Sequence, residues 1–411
     1  MAASGGKIEA FLRGLIRSGS LEIVLPGGRR LVLGDGSGTP VAVRVTDALT
    51  LARIAAGPYL GLGEAYMDGR LMMERGTIRD LLDLGSRNAA TAPRGLQPGP
   101  LKRWWKTLRD DSITRVAARR NVAHHYDLSL DLYRRFLDTD LQYSCAYFTD
   151  PGMSLDDAQI AKKRHIAAKL NVAQGQSVLD IGCGWGGMAL SLAAWTGAAV
   201  DGVTLSIEQL SVARTRAQAQ GLASRVRFSL TDYRDVTQTY DRIVSVGMFE
   251  HVGKRHYQEF FDKIADLLAE DGVAVIHSIG SSQSPGPTNP FTTKYVFPGA
   301  YVPSLSEVLP AVERAGLRVT DIEILRLHYA RTLACWLERF AANRAEIAAL
   351  YDERFCRMWE CYLAGAEMGF RYGGHMNFQL QLTKRVDALP TTRDYIGDGE
   401  KALDIQSRQA A

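Results

Sequence analysis

Four side chains able to hold or move a proton stand where apolar or aromatic stretches stop. Cys145 lies in Tyr143-Ser144-Cys145-Ala146-Tyr147-Phe148, and Glu250 in Val246-Gly247-Met248-Phe249-Glu250-His251-Val252-Gly253. His277 follows the apolar run Val273-Ala274-Val275-Ile276, and Tyr329 lies in His328-Tyr329-Ala330-Arg331-Thr332-Leu333. A thiol, a carboxyl, an imidazole and a phenol around a dry pocket can bind an anion or carry out acid–base steps. Each also has a plainer reading. A cysteine is often a small buried apolar residue, an acid at a helix start answers the helix dipole, a histidine ending a strand is often a satisfied core residue, and Tyr329 can simply pack.

The run Val178-Leu179-Asp180-Ile181-Gly182-Cys183-Gly184-Trp185-Gly186-Gly187 reads as a strand, a glycine turn and the start of a helix. Glycines there let the backbone approach a ligand closely, and the helix start offers unpaired N–H groups. Gly182, Gly184 and Gly187 fit the G-x-G-x-x-G of dinucleotide binders, whereas Asp180 with Gly182, Gly184 and Gly186 fits the D-x-G-x-G of S-adenosylmethionine enzymes. A dinucleotide site wants an acid at the end of the next strand, about 20 residues on. That strand ends Thr204-Leu205-Ser206, its Asp201 is interior, and Gln209 follows one helical turn later, able to bond a ribose diol. This favours S-adenosylmethionine. Asp180 is expected to orient the loop or the cofactor's amino group, and Asp232-Tyr233, after the third strand, to contact adenine.

The elements that must position these residues alternate strand and helix from Gln174 onward, the pattern of a parallel doubly wound sheet in an α/β fold. Strands are expected at Ser177–Ile181, Ala198–Leu205, Val226–Leu230, Arg242–Val246, Val273–Ile279, Arg318–Leu325 and Phe378–Lys384, the last antiparallel, with a long helical region at Ala330–Gly369. Ligands then sit beyond the carboxyl ends of the strands. A smaller α+β domain precedes the sheet, with a helix at Ile8–Arg17, strands at Leu21–Leu25, Leu31–Leu33 and Val41–Val45, and helices at Asp47–Ala56, Gly63–Asp68 and Ile78–Leu84. The expected division is 1–88 for that domain, 89–120 for a basic linker helix, 121–390 for the catalytic domain and 391–411 for a tail. The Pro- and Gly-rich stretch Ser284–Pro303 reads as an ordered lid or entrance loop.

The 411 residues carry a net charge of only +4, too mild for a nucleic-acid binder. The five cysteines (Cys145, Cys183, Cys335, Cys356, Cys361) are odd in number and lack zinc-type pairs, so reduced thiols, a cytoplasmic setting and no metal are expected. No apolar stretch reaches the ~20 residues of a bilayer span. Leu101-Lys102-Arg103-Trp104-Trp105-Lys106, followed by Arg109, Arg115, Arg119 and Arg120, suits the headgroup zone of an anionic membrane; a basic linker helix is the alternative.

Taken in order, His125-Tyr126-Asp127-Leu128, Tyr143–Phe148, the glycine turn, Phe249–Gly253 and His328–Leu333 resemble the cyclopropane fatty acid synthase family, which includes the mycolic acid cyclopropane synthases and methyltransferases. The resemblance covers about Asn121 to Arg385. It implies methyl transfer from S-adenosylmethionine to a cis double bond of a phospholipid acyl chain, through a carbocation that closes to a cyclopropane when a proton leaves. It also implies a bicarbonate ion as base, held by Cys145, Glu250, His277, the Ile279 amide and Tyr329, with aromatic faces from Tyr126, Tyr143, Tyr147, Phe148, Tyr295, Phe297 and Tyr329 around the cation. Tyr143 and Ser144 would cover the methionine part of the cofactor. Location at the inner membrane surface follows, while homodimer formation is left open. Ala366 stands where many members carry a cysteine in a late helix, which leaves open a branch making methylene-, methyl-branched or furan-type chains. A methyltransferase for a small soluble acceptor is a further alternative.

Overall fold

The computed structural model describes residues 9, 12–91 and 128–409. The basic segment Leu101–Arg120 and the pair His125-Tyr126 lie outside them. Two compact units emerge, and they do not follow chain order. The first combines Met1–Trp105 with Thr288–Pro298 and Leu333–Gly374; the second combines Lys106–Pro287 with Gly299–Thr332 and His375–Ala411.

In the first unit, strands β1 (Leu21–Val24), β2 (Arg30–Leu33), β3 (Val41–Val45) and β4 (Leu71–Arg75) form a sheet in the order β2-β1-β3-β4. Strand β4 has no counterpart in the sequence reading, because Leu-Met-Met-Glu-Arg shows only one clearly inward residue, Leu71. Helices Ala48–Ala56 and Pro58–Met67 stand between β3 and β4 in the chain, and Ile78–Ala90 follows β4. The last starts at a capping box between Thr77 and Asp80 and runs into the stretch expected to be linker.

The long helical region is three helices, His328–Ala342, Arg344–Leu350 and Glu353–Tyr372. Residues from Leu333 on belong to the first unit, not with the sheet that their position in the chain implies. A fully buried Glu367 accounts for this in part: it accepts two bonds from Arg79, both 2.7 Å, and one from Arg371 at 2.7 Å. A buried carboxylate needs such partners to be tolerated.

The second unit holds β5 (Ser177–Ile181), β6 (Ala199–Thr204), β7 (Val226–Leu230), β8 (Tyr240–Val246), β9 (Leu268–Ser281), β10 (Arg318–Ile324) and β11 (His375–Thr383). Their order is β10-β11-β9-β8-β5-β6-β7. Strands β5 to β9 are parallel, and β11 runs antiparallel to both neighbours, as the sequence pattern implies. Consecutive residues point to opposite faces, so Ile243 and Ile276 enter one core while Val244 and Val275 enter the other. Residues 391–411, expected as a tail, contain the helix Asp394–Gln409, whose Ile396 and Leu403 are buried in the second core. Its two glycines and eight charged or amide side chains hide that stripe in the sequence.

The first core centres on Phe249, Phe260 and Phe261, with ring centroids 5.1–5.5 Å apart. Phe260→Ala is expected to cost about 3–5 kcal/mol in urea unfolding of the sheet unit; a loss below about 1 kcal/mol would show that this cluster does not anchor the sheet.

Candidate active site

The glycine turn does what its sequence promises. Gly182, Gly184 and Gly186 have φ of +81°, +53° and +85°, and the helix Gly187–Thr196 starts directly after them. A Cβ on Gly182 would lie 2.8 Å from Met248 Cβ, so only glycine lets this backbone run beside the loop after β8.

A cavity opens there, at the carboxyl ends of the strands. Tyr143, Asp180, Gly182, Gly184, Thr204, Leu205, Gln209, Asp232 and Tyr233 line it, as expected from sequence. Three expected residues support it without lining it. Gly186 packs on Phe228 and Ala213, Ser206 caps the helix Ile207–Ala219, and Ser144 Oγ accepts a bond from Lys162 at 2.9 Å. Leu141, Gln142, Met248 and His256 line the cavity unanticipated, and His251, beside Glu250, lines it too. Leu141 adopts φ +60°, rare for a branched residue, beside a turn that Asp138 ties by accepting bonds from the Asp140 and Gln142 amides.

Thr204 Oγ1 donates to Gln209 Oε1 at 3.0 Å, which orients the carboxamide expected to meet the ribose. Asp232 is buried and accepts from Arg234 at 2.8 and 2.6 Å, so it arrives at the cavity already paired. Asp180 is different. It is 2% exposed, its Oδ2 has no partner among the described residues, and burial pushes its carboxyl up to about 7. A carboxyl in that state is matched to a cationic donor. The amino group of S-adenosylmethionine is such a donor, so these residues fit the cofactor.

Of the second expected group, none lines this cavity; the backbone brings Glu250, Ile279 and His277 together, and the Cys145 segment together with the turn that carries Tyr329. Glu250 lies on a 3-10 turn after β8 and is buried. The Ile279 N–H donates to its Oε1 at 2.7 Å, its Oε2 has no partner among the described residues, and burial raises it to about 7. Cys145 is fully buried, its thiol pushed well up by desolvation and therefore protonated. The Ala146 N–H donates to Thr332 Oγ1 at 3.0 Å and the Phe148 N–H to His328 Nδ1 at 2.9 Å. These two bonds dock the Cys145 segment on the helix turn that carries Tyr329, itself buried.

His277 sits two residues before Ile279 on β9, with Asn377 Nδ2 3.2 Å from Nε2 and Gln379 Nε2 3.1 Å from Nδ1. Burial drops its imidazole to about 3, so the ring is neutral. A neutral ring has one N–H and one lone pair, so one carboxamide must turn its oxygen inward. Both ring nitrogens thus have protein partners, the plainer reading of this histidine. Tyr147 stacks at 4.2 Å on His165 and 5.1 Å on His328, and Phe148 lies 4.0 Å under the Arg331 guanidinium. The stretch expected as a lid contains the helix Pro290–Tyr295, and in the first unit Lys294 and Tyr295 donate to Glu64 at 2.6 and 2.7 Å while Phe297 meets Tyr362 edge-on.

The sheet order, the reversed last strand, the glycine turn and the cavity beyond it define a class I S-adenosylmethionine-dependent methyltransferase. The chain belongs to the mycolic acid cyclopropane synthetase family, whose model matches residues 114–380. It is 40% identical over 366 residues to the tuberculostearic acid methyltransferase UfaA1 of Mycobacterium tuberculosis, covering 84% of this chain and 85% of that one. It is 36% identical over 354 residues to the cyclopropane-fatty-acyl-phospholipid synthase of Escherichia coli, covering 85% and 89%. Among solved structures it is similar to the mycolic acid cyclopropane synthase CmaA1 complexed with SAH and CTAB, at 34% identity and a TM-score of 0.62, covering 64% of this chain and 97% of that one.

Asp180 yields a signed prediction. With its carboxyl near 7 before the cofactor binds, it is mostly protonated at pH 6 and mostly ionised at pH 8. Pairing with an ammonium requires the ionised form, so S-adenosylhomocysteine should bind several-fold more tightly at pH 8 than at pH 6 and release a proton at pH 6. Calorimetry in buffers of different ionisation enthalpy measures both, and Asp180→Asn should remove the proton release.

Proposed function

We propose that this enzyme methylates the cis double bond of unsaturated phospholipid acyl chains at a membrane surface, with ring closure to a cyclopropane. The observation that carries the reading is the Glu250 carboxyl: shut from water, raised to about 7, one oxygen on the Ile279 amide and the other unpartnered among the described residues. An enclosed group poised between its protonated and ionised forms suits a step that must collect a proton away from solvent. The names of the relatives, a fatty-acyl-phospholipid synthase and a fatty acid methyltransferase, support the substrate class.

S-adenosylmethionine, when bound, supplies an electrophilic methyl. The alkene's π pair would form the new C–CH3 bond as the C–S bond broke towards sulfur, leaving a carbocation on the chain. Loss of a proton from the added methyl closes the ring with the released C–H pair. Since the Ile279 N–H already meets a carboxylate oxygen, this amide is competent to bind an oxyanion. Cys145, Glu250, His277, the Ile279 amide and Tyr329 would hold bicarbonate, the base, with His277 exchanging one carboxamide partner and the Ile279 N–H turning from Glu250 to the ion. Glu250 would share its proton with that ion, and the neutral His277 and the protonated Cys145 would add no competing negative charge. The protein would act peripherally at the cytoplasmic face of the inner membrane, and among the described residues no helix is long and apolar enough to cross one.

A second reading keeps the methyl transfer and ends it in a methylene- or methyl-branched chain. Ala366 in place of a late-helix cysteine and the 40% identity to a tuberculostearic acid methyltransferase favour it.

The test uses vesicles of cis-unsaturated phospholipid with labelled S-adenosylmethionine, read by lipid mass spectrometry and NMR. The proposal expects one added CH2 per chain with ring resonances, turnover that falls in carbonate-free buffer and returns with bicarbonate, and a loss of about 100-fold or more in kcat for Glu250→Gln. Cys145→Ser should lose activity with little change in stability. Vinylidene or branched-methyl resonances would move the product to the second reading. Full turnover by Glu250→Gln, or on a soluble acceptor without vesicles, would overturn the assignment.

A further inference from the structure

The helix Leu155–Leu170 presents Gln159, Lys162 and Lys163 at one-turn spacing to the loop Asp138–Ala146. Gln159 Nε2 donates to the carbonyls of Gln142 and Ser144 at 3.2 and 3.0 Å. Lys162 Nζ donates to Gln142 Oε1 at 2.5 Å and Ser144 Oγ at 2.9 Å, and Lys163 Nζ to Asp140 Oδ2 at 2.7 Å. Lys162 is the unusual member. It is fully buried, yet both of these partners are neutral, and among the described residues no carboxylate pairs with it directly.

The loop that Lys162 holds has two functions. Gln142 and Tyr143 line the cofactor cavity, and Cys145, next to Ser144, belongs to the proposed anion site. The ammonium's field reaches further. It counters the upward push of burial on Cys145 and Asp180 and adds to the downward push on His277. Ionising a group in this interior costs far more than in water. The proposed anion ligands bring a neutral thiol, a neutral imidazole, a phenol, an amide and a carboxyl that can itself turn negative. None of them supplies positive charge.

We propose that Lys162 is the positioning residue of this site: it fixes the Gln142–Cys145 loop against both the cofactor and the anion, and is the buried countercharge that lets an anion reside there. The countercharge role rests on the bicarbonate reading above; the loop role does not. Lys162 touches neither reacting atom and acts through Gln142, Ser144 and Cys145.

Two measurements on the full-length protein separate the roles. In the first, S-adenosylhomocysteine binding is measured calorimetrically without lipid or bicarbonate. Lys162→Met, which keeps the stem and removes the charge and donors, should weaken binding at least tenfold, while Lys162→Arg restores most of it. Binding by Lys162→Met within twofold of wild type would overturn the loop role. In the second, the KM for bicarbonate is measured on phospholipid vesicles. Lys162→Met should raise it at least tenfold, beyond any change in the KM for S-adenosylmethionine, and an unchanged bicarbonate KM would overturn the countercharge role. If wild-type turnover is indifferent to bicarbonate, the bicarbonate reading fails and the countercharge role with it, while the first measurement still decides the loop role. Should Lys162→Met not fold, Ser144→Ala keeps the ammonium and deletes one acceptor; weakened S-adenosylhomocysteine binding supports the loop role, and unchanged binding overturns it.

Discussion

The hydrogen bond from the Ile279 amide to Oε1 of the buried Glu250, 2.7 Å long, is the interaction on which the rest of the site depends. It joins the turn after β8 to the end of β9, where Glu250, His277 and Ser278 are buried. The chain therefore keeps a carboxyl in an environment that resists its ionisation, and the same interior keeps Cys145 protonated and His277 neutral. Low charge and little water are the conditions that the proposed cation on a hydrocarbon chain would need to survive until a base takes its proton.

Two layers build that environment. Beneath, β8, β9 and β11 supply strand ends in fixed register, with Asn377 and Gln379 set opposite Ile279 and His277. Above, the segment from Asp138 to Phe148 crosses the strand ends and is fastened at both ends: to the helix Leu155–Leu170 by amide and ammonium donors, and to the helix beginning at His328 by the Ala146 and Phe148 amides. The cavity and the proposed anion site thus share one loop: Tyr143 lines the first and Cys145 is assigned to the second, two residues apart.

Where apolar periodicity is strong, the sequence is a good guide. Strands β5, β7 and β10 begin where their β-branched runs begin, and the glycine turn is legible because glycine with positive φ has few substitutes. The departures have physical causes. Strand β9 runs from Leu268, through an acidic stretch that hides its first residues, and Leu71–Arg75 shows too little alternation to be read as a strand. The late helices have a clear apolar stripe, but a stripe does not say which neighbour it meets. Lys162 and Gln159 look like any polar helix surface, since a buried lysine differs from an exposed one only by what lies opposite. For the same reason the resemblance could name His277 while the carboxamides that hold it went unseen.

The central claim is that the proton lost in ring closure comes from the methyl just transferred and leaves to a base inside the protein. S-adenosylmethionine carrying a fully deuterated methyl, supplied with vesicles of cis-unsaturated phospholipid, tests it directly. Mass spectrometry and NMR of the product chains should show ring methylenes that keep two of the three deuterium atoms. Chains that keep all three as an intact methyl group would contradict the account.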